Sequence, residues 1–521
     1  MAAKFSSDSP SFAPRLNLIG GEWRKASTGK TFDDINPVRS AGFQPAGSLG
    51  LTGPAGSQRS IGRFPLSTEA DVDAAVRAAS EAFKTWRKVP APQRGAILRR
   101  CADALAAEKE ELARLMAREM GKTLIEARGD VQEAIDCANL YAGFSRTFGG
   151  QTLPSELPDK FAMSVRKPLG VCGQITPWNF PIAIPSWKAF PALLCGNTVI
   201  LKPAEDSPAC ASAFGRVLMS AGVPAGVFNV VHGEGEVAGA ALVNHPGVAA
   251  ISFTGSSETG KIIAENCGRQ LKRCSLELGG KNAQIVMDDA DLNLALEGAV
   301  WGAFATAGQR CTATSRLILH EKIYDRFLRR FIDAAKALRL GDPLDAKTQI
   351  GPLVNAAQLE RVENYIRIGI EEGATLRLGG RRARGRGLNA GHFFEPTIFT
   401  DVTPSMRIAR EEIFGPVCAV MSFKRVDEAV SILNGTRYGL SSSIYTRDVN
   451  AAFRAMRELE AGITYINGPT IGAEVHLPFG GVKETGNGHR EAGAAVLDFY
   501  SEWQSVYVDY SGKLQRAQID T

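Results

Sequence analysis

The chain has 521 residues, 44% apolar and 22% charged, with a formal net charge of +5. That length is too great for one core and implies two or three domains, and the composition is that of a folded globular protein. The small charge excess argues against wholesale nucleic-acid binding, which demands a far more basic balance or a basic stripe with aromatics.

Nine cysteines are scattered at 101, 137, 172, 195, 210, 267, 274, 311 and 418, with no C-x-x-C spacing. An odd, dispersed set reads as reduced thiols, not as a disulfide framework or zinc site. Six histidines without H-E-x-x-H give no reason to expect a metal. The first residues, MAAKFSSDSPSFAPRLN, lack a signal peptide's apolar core, and no run of about 18 apolar residues offers a membrane span. The expectation is a cytoplasmic protein without a membrane partner.

Residues 17–37 read as short strands with turns. The Gly/Pro/Ser-rich stretch at 39–62, RSAGFQPAGSLGLTGPAGSQRSIG, reads as a flexible insert, since it has too little apolar surface to offset its ordering entropy. In EADVDAAVRAASEAFKTW, Val72, Val76, Ala79 and Phe83 recur at helical spacing behind Thr68, a candidate N-cap. A second helical stretch is expected from Pro92 to about Met120, with Ile97, Cys101, Leu105, Leu112 and Met116 on one face.

From Val171 the pattern changes. VCGQIT, NTVILKP, VFNVVHG, AAISFTG and CSLELGG are apolar runs ending in turn residues, with helical segments between them. This alternation predicts a doubly wound parallel sheet buried on both faces, with ligands beyond the carboxyl ends of its strands. A second α/β region follows Gly280, with strands at SRLILH, CAVMSF, LSSSIYT and ITYIN. The terminal SVYVDY alternates as a strand that needs a sheet to join.

Within GAFATAGQRCTATSR, Cys311 sits among small and hydroxyl-bearing residues. A spectator thiol is the usual reading of a cysteine, but this one has room for a substrate, and thiols add readily to carbonyls. Thr312 and Thr314 are candidate donors beside it. Glu277 ends an apolar run and is either a salt-bridge partner of Lys281 or Lys272 or a general base with a raised pKa. Asn179, in PWNFP, is either a plain turn residue or a side-chain donor. Lys202 and Glu205 close a strand where a dinucleotide should lie, or are two solvated charges at a loop. Gly233-x-Gly235-x-x-Ala238 formally matches a dinucleotide fingerprint, yet among 54 glycines a lone match is weak. EEIF at 411–414 reads on its own as a first helical turn with favourable charge.

QITPWNFP, LKPAEDSP, FTGSSETG, LELGGKN, GQRCTATSR, EEIFGPV and PFGGVKETGNG, in that order, resemble the NAD(P)-dependent aldehyde dehydrogenase superfamily over about residues 17–510. The resemblance implies an α/β aldehyde dehydrogenase fold. A Rossmann-like cofactor domain would comprise 15–147 and 171–280, and a catalytic domain 281–481. A small β oligomerisation arm and tail would comprise 148–170 and 499–521. It further implies Cys311 as nucleophile, Glu277 as the base that activates water, and Asn179 with the backbone N–H of Cys311 as oxyanion donors.

Thr176, Pro177, Trp178, Lys202, Glu205, Gly255, Ser256, Glu412 and Phe414 are the implied cofactor-binding set. Lys202 and Glu205 would hold the adenosine ribose, Ser256 a phosphate at a helix N-terminus, and Glu412 and Phe414 the nicotinamide end. A carboxylate at 205 repels a 2′-phosphate, so NAD is favoured, with NADP possible. The implied reaction oxidises an aldehyde to its acid through a cysteine thiohemiacetal and thioester, without a metal. The loop NGPTIGAEVHLPFGG (467–481) is similar to that of α-aminoadipic semialdehyde dehydrogenases and, less so, of Δ1-pyrroline-5-carboxylate dehydrogenases. A carboxylate-bearing semialdehyde is therefore the expected substrate, with a broad aliphatic or aromatic range as the alternative.

A coenzyme A-acylating enzyme lacks the base that Glu277 provides. A non-catalytic relative is disfavoured by the joint presence of Cys311, Glu277 and Asn179. The arginines of GGRRARGRGLN (379–389) read as a solvated loop between strands, not a nucleic-acid site. A homodimer or homotetramer is expected, with SVYVDY pairing between subunits and the tail beyond Ser511 packing on a neighbour.

Overall fold

The computed structural model describes residues 12–39, 60–385 and 387–519. Two seven-stranded sheets organise it. The first runs, edge to edge, Arg273–Glu277, Ala250–Thr254, Val171–Thr176, Thr198–Pro203, Phe228–Val230, Asn17–Ile19 and Glu22–Arg24. Its first five strands are parallel and the last two join antiparallel. Every residue of Val171–Thr176 and Thr198–Pro203 is buried, as expected for a sheet covered on both faces. Alternate side chains enter different cores: Val199 and Leu201 pack with one cluster, while Ile200 packs with Val72, Val76 and Ala79 on the other face.

Those last residues lie on the helix Glu69–Trp86, whose N-terminus is closed by a reciprocal cap between Thr68 and Asp71. The stretch expected as one helix to Met120 is two, Ala91–Ala107 and Lys109–Met120. Glu108 breaks it with φ −107° and ψ 10°, and its carboxylate is held by Arg216. Cys101, Leu105, Leu112 and Met116 are buried as expected, but Leu98, not Ile97, is the fully buried residue of its turn.

The second sheet runs Thr375–Leu378, Thr397–Thr400, Val417–Phe423, Arg316–His320, Ala283–Val286, Ser441–Tyr445 and Ile463–Ile466, parallel except for the first pair. It has its own core. A three-stranded antiparallel sheet combines Thr152–Pro154, Lys160–Pro168 and Ser501–Asp509, so the terminal strand finds its sheet within the chain. Strands Thr31–Ile35 and Ser60–Pro65 pair with each other. The insert expected between them falls largely outside the described residues. The arginine-rich loop does connect two strands, with Arg381 on Glu395 and Arg382 on Glu363. Of the tail, Gln515 donates to the Pro158 carbonyl of its own chain at 2.7 Å. Among the described residues no helix is long and apolar enough to cross a membrane.

Candidate active site

A cavity of about 700 Å³ opens beyond the carboxyl ends of the first sheet and reaches the second α/β region. Its walls include Pro177, Trp178 and Asn179 after strand Val171–Thr176, and Gly255 and Ser256 after Ala250–Thr254. From the opposite side come Cys311, Glu412 and Phe414.

Cys311 is delivered there by strained backbone. The helix Leu292–Phe304 ends in a tight turn where Thr306, Ala307 and Gly308 have φ of 53°, 53° and 68°. Side chains at such angles cost about 1–3 kcal/mol each and persist only where the surroundings impose them. At Gly308 a Cβ would also lie 2.1 Å from the Gly415 carbonyl oxygen, so only glycine fits. Buried Glu126 imposes the turn, accepting from the Thr306 N–H at 2.7 Å and its hydroxyl at 3.1 Å. Arg310 closes the network on Thr306 Oγ1 at 2.9 Å and Glu126 at 3.3 Å. Asn282 then donates to the carbonyls of Cys311, at 2.7 Å, and Ala313, at 2.9 Å.

Neither Thr312 nor Thr314 lines the cavity. Thr314 shares a hydrogen bond with Thr470 at 2.8 Å, and the Thr312 carbonyl accepts from Thr470 Oγ1 at 2.6 Å, tying this turn to the 467–481 loop. Asn179 is buried, with Nδ2 3.1 Å from the Gln309 carbonyl and Oδ1 without a protein partner. It is therefore more than a turn residue.

Glu277 ends the strand Arg273–Glu277 and is 3% exposed. Neither of its oxygens has a hydrogen-bond partner. Neither lysine considered from the sequence neutralises it: Lys272 donates to the carbonyls of Val243 and His245, and the buried Lys281 Nζ is unpartnered. Burial, then the Glu491 carboxylate, pushes the Glu277 carboxyl well above its ordinary range. Glu491 is itself paired with buried Lys188, whose Nζ also reaches Ser252 Oγ at 2.8 Å. Burial, then Glu412 and Glu277, pushes the Cys311 thiol up to about 12.

Glu412 accepts from the Gly280 N–H at 2.9 Å, and a Cβ on Gly279 would fall 2.5 Å from its Oε2, so this approach requires glycine. Burial raises Glu412 to about 7. EEIF does not open a helix but follows one, Arg407–Arg410, and Phe414 has φ 61°. Its ring meets Trp178 edge-on at 5.4 Å.

Lys202, nearly buried, pairs with the half-exposed Glu205 at 2.8 Å, so they are not two independently solvated charges. Gly235 of the weak fingerprint donates its N–H to Glu205 at 2.6 Å, orienting that carboxylate. Ser256 caps the helix Ser257–Arg269, accepting from the Thr259 N–H at 3.1 Å. Thr176 is buried with an unpartnered hydroxyl. Thus Pro177, Trp178, Asn179, Gly255, Ser256, Cys311, Glu412 and Phe414 share one cavity. Thr176 and Glu277 lie in the strands behind it, and Lys202–Glu205 ends the neighbouring strand.

Glu126, Asn282, Lys188 and Glu491 were missed from sequence. Asn282 stood inside LELGGKN and was the most accessible of them; the other three are charged residues in helices or loops, distant in sequence from what they touch.

A doubly wound sheet thus faces a second α/β unit across a cavity that holds a single thiol and buried carboxylates. The chain belongs to the aldehyde dehydrogenase family, whose model matches residues 45–506, and it is an enzyme that oxidises aldehydes. It is 40% identical to an α-ketoglutaric semialdehyde dehydrogenase of Bacillus subtilis, over 95% of this chain and 98% of that protein. It is 41% identical to a betaine aldehyde dehydrogenase of Brucella anthropi, over 95% and 97%. A crystal structure of Staphylococcus aureus betaine aldehyde dehydrogenase in complex with NAD+ superposes with a TM-score of 0.91 at 34% identity, covering 98% of each chain.

Proposed function

We propose that this enzyme oxidises a carboxylate-bearing semialdehyde to the corresponding acid with NAD, using Cys311, Glu277 and Asn179. One observation carries the residue assignments: an over-determined turn presents one thiol to a cavity flanked by a buried amide and a buried, unpartnered carboxylate.

The cavity fits a dinucleotide. The Lys202–Glu205 pair offers an acceptor and a cation for ribose hydroxyls at one strand end, and Glu205 disfavours a 2′-phosphate. Gly255 and Ser256 lead into a helix N-terminus suited to a phosphate, with Thr176, Pro177 and Trp178 on the adjoining wall. Glu412 lies so close to Gly279 that a side chain there would fill its space, and with Phe414 it forms the far end. When bound, NAD would supply a hydride acceptor.

Cys311 passes its proton to water in the cavity as Sγ bonds to the aldehyde carbon. The resulting alkoxide accepts from Asn179 Nδ2 and the Cys311 backbone N–H. Loss of hydride leaves a thioester on Sγ. Glu277 then takes a proton from water, whose oxygen adds to the thioester carbon, and the Cys311 thiolate departs as the acid forms. A carboxylate that begins unpartnered is free to accept that proton.

The 467–481 loop supports the semialdehyde reading, because Thr470 hydrogen-bonds Thr312 and Thr314, just after Cys311. So does the similarity to α-ketoglutaric semialdehyde dehydrogenases. The same reading assigns 15–147 with 171–280 to cofactor binding and 281–481 to catalysis. It assigns 148–170 and 499–521 to assembly of a cytoplasmic homodimer or homotetramer, with exposed Trp503, Tyr507 and Val508 at the contact. The test is kcat/KM with NAD across semialdehydes, betaine aldehyde, hexanal and benzaldehyde. The semialdehydes are expected to lead, and a preference for hexanal, benzaldehyde or the cationic aldehyde defeats the substrate assignment.

A further inference from the structure

The cavity wall contributed by the second α/β region carries several arginines, and they are held in different ways. Arg407 pairs with Glu411 at 3.0 Å, and Arg361 donates to the carbonyls of Glu412, at 2.6 Å, and Ile413, at 3.3 Å. Both are engaged within their own region. Arg437 instead reaches across to the first.

Arg437 precedes the strand Tyr438–Gly439, which pairs antiparallel with Val482–Lys483. The N–H of Glu484 donates to the Arg437 carbonyl at 2.9 Å and fixes its backbone. The guanidinium donates to Glu484 at 3.1 Å and to Tyr438 Oη at 2.7 Å. It also donates to Glu258 at 3.0 Å, and Lys261, three positions along the same helix, pairs with Glu484 at 2.8 Å. Glu258 lies in the first turn of helix Ser257–Arg269, two positions after the cap Ser256, and lines the cavity with it.

That carboxylate is ill placed for an anionic ligand. It suits the helix dipole, yet it stands at the end where free N–H groups are to receive a phosphate. The hydrogen bond from Arg437 is the main influence holding Glu258 below the ordinary carboxyl range, so it is ionised near neutrality. Unpaired, it would repel the phosphate. Arg437 cancels it. The pair can also exchange partners: the Arg437 and Glu258 side chains are 38% and 70% exposed, so water can replace either without stranding a buried charge. A guanidinium fork matches phosphate oxygens as well as it matches a carboxylate.

We propose that Arg437 is a cofactor-binding residue supplied by the second α/β region, which offsets Glu258 and offers its cation to the diphosphate of the dinucleotide. This rests on the placement of that diphosphate at Ser256 under the function proposed above. The cofactor is thereby gripped from both regions at its most charged point, and Glu258 is the resting partner of the guanidinium between turnovers. A purely structural clamp has a different signature. It would lose cofactor affinity whichever member of the ion pair is removed, whereas an offset charge makes the two substitutions act differently.

The dissociation constant of NADH, read by its fluorescence on the full-length enzyme, separates these cases. Arg437→Gln should weaken NADH binding about five- to tenfold, because it removes a cation and exposes an anion. Glu258→Gln should bind NADH at least as tightly as the wild type. The two substitutions combined should fall between Arg437→Gln and the wild type, which also shows that loss of the arginine leaves the enzyme folded. The gap between Arg437→Gln and the wild type should narrow in concentrated KCl, where exposed charges are screened. Unchanged affinity in Arg437→Gln, equal losses in the two single variants, no recovery in the combination, or a gap indifferent to salt overturns the proposal. Ser256→Asp keeps a helix cap but sets an anion at the phosphate position, and it should abolish NADH binding. If it binds NADH normally, the placement of the diphosphate fails and the role of Arg437 with it. If it does not bind while Arg437→Gln is unaffected, only the role of Arg437 falls.

Discussion

The Cys311 turn and the Glu277 strand end meet at the same cavity but are built on opposite terms. The turn is strained at Thr306 and Ala307 and compensated by a dense set of hydrogen bonds from Glu126, Arg310 and Asn282. The strand end is relaxed, yet its carboxylate is buried with no hydrogen bond. A nucleophile must be held in place, and rigid surroundings do that. A base must change its proton occupancy, and complete hydrogen bonding to the carboxylate would depress its pKa and make it a poor acceptor of protons. Position is thus secured by satisfying groups around the thiol, and basicity by leaving groups around Glu277 unsatisfied.

The sharpest test is at the sulfur. Cys311→Ala should lower kcat by about ten-thousandfold or more while NAD still binds, read by turnover and by calorimetry. Glu277→Gln should cost about a hundredfold to ten-thousandfold in kcat. It should leave a stoichiometric burst of NADH and an acyl adduct on Cys311, visible in the intact mass. The same substitution should raise Tm at pH 8, since it replaces a buried carboxyl whose raised pKa costs stability at that pH. A burst followed by undiminished turnover would assign water activation elsewhere. Asn179→Ala should lower kcat by about a hundredfold to a thousandfold.

Glu126→Gln probes the other half of the contrast. It should lower Tm, with a cost of about 2–4 kcal/mol in denaturant unfolding, because the carboxylate that organises Thr306 and Arg310 is buried. Opposite shifts in Tm for Glu126→Gln and Glu277→Gln would establish the difference between the two regions; equal shifts would dissolve it.

Much of this was legible in the sequence for local reasons. Strand–helix alternation after Val171 gave the doubly wound sheet, because each buried strand is a continuous apolar run bounded by turn residues. Thr68 announced a helix start. The break at Glu108 was invisible because the apolar spacing from Leu105 to Leu112 fits one helix, and the residue that interrupts it is claimed by Arg216, 108 positions away. Glu277 could be suspected from its apolar context, but not freed from Lys272 and Lys281 until the carbonyl contacts of Lys272 and the unpartnered Nζ of Lys281 were known. Glu126 carried no signal at all beyond a capping box with Thr123, its local role. Its second role depends on a turn 180 residues on.

Glu412 lies between the two extremes, with one backbone donor and a pKa raised to about 7 by burial. Below that pH it is protonated and loses the carboxylate that the proposed contact with ribose hydroxyls requires, so KM for NAD should rise several-fold as pH falls from 8 to 6. Stability should move the other way. A carboxyl whose folded pKa exceeds its unfolded value takes up protons on folding between the two, so its contribution to stability is largest at low pH and is lost as pH rises through 7. Glu412→Gln should accordingly raise Tm at pH 8 more than at pH 5, while raising KM for NAD and flattening its pH dependence. A variant that keeps the wild-type pH profile would move the titration to another group and leave Glu412 a packing residue. A flattened profile with higher Tm would mark Glu412, like Glu277, as a charge retained for function at the expense of stability.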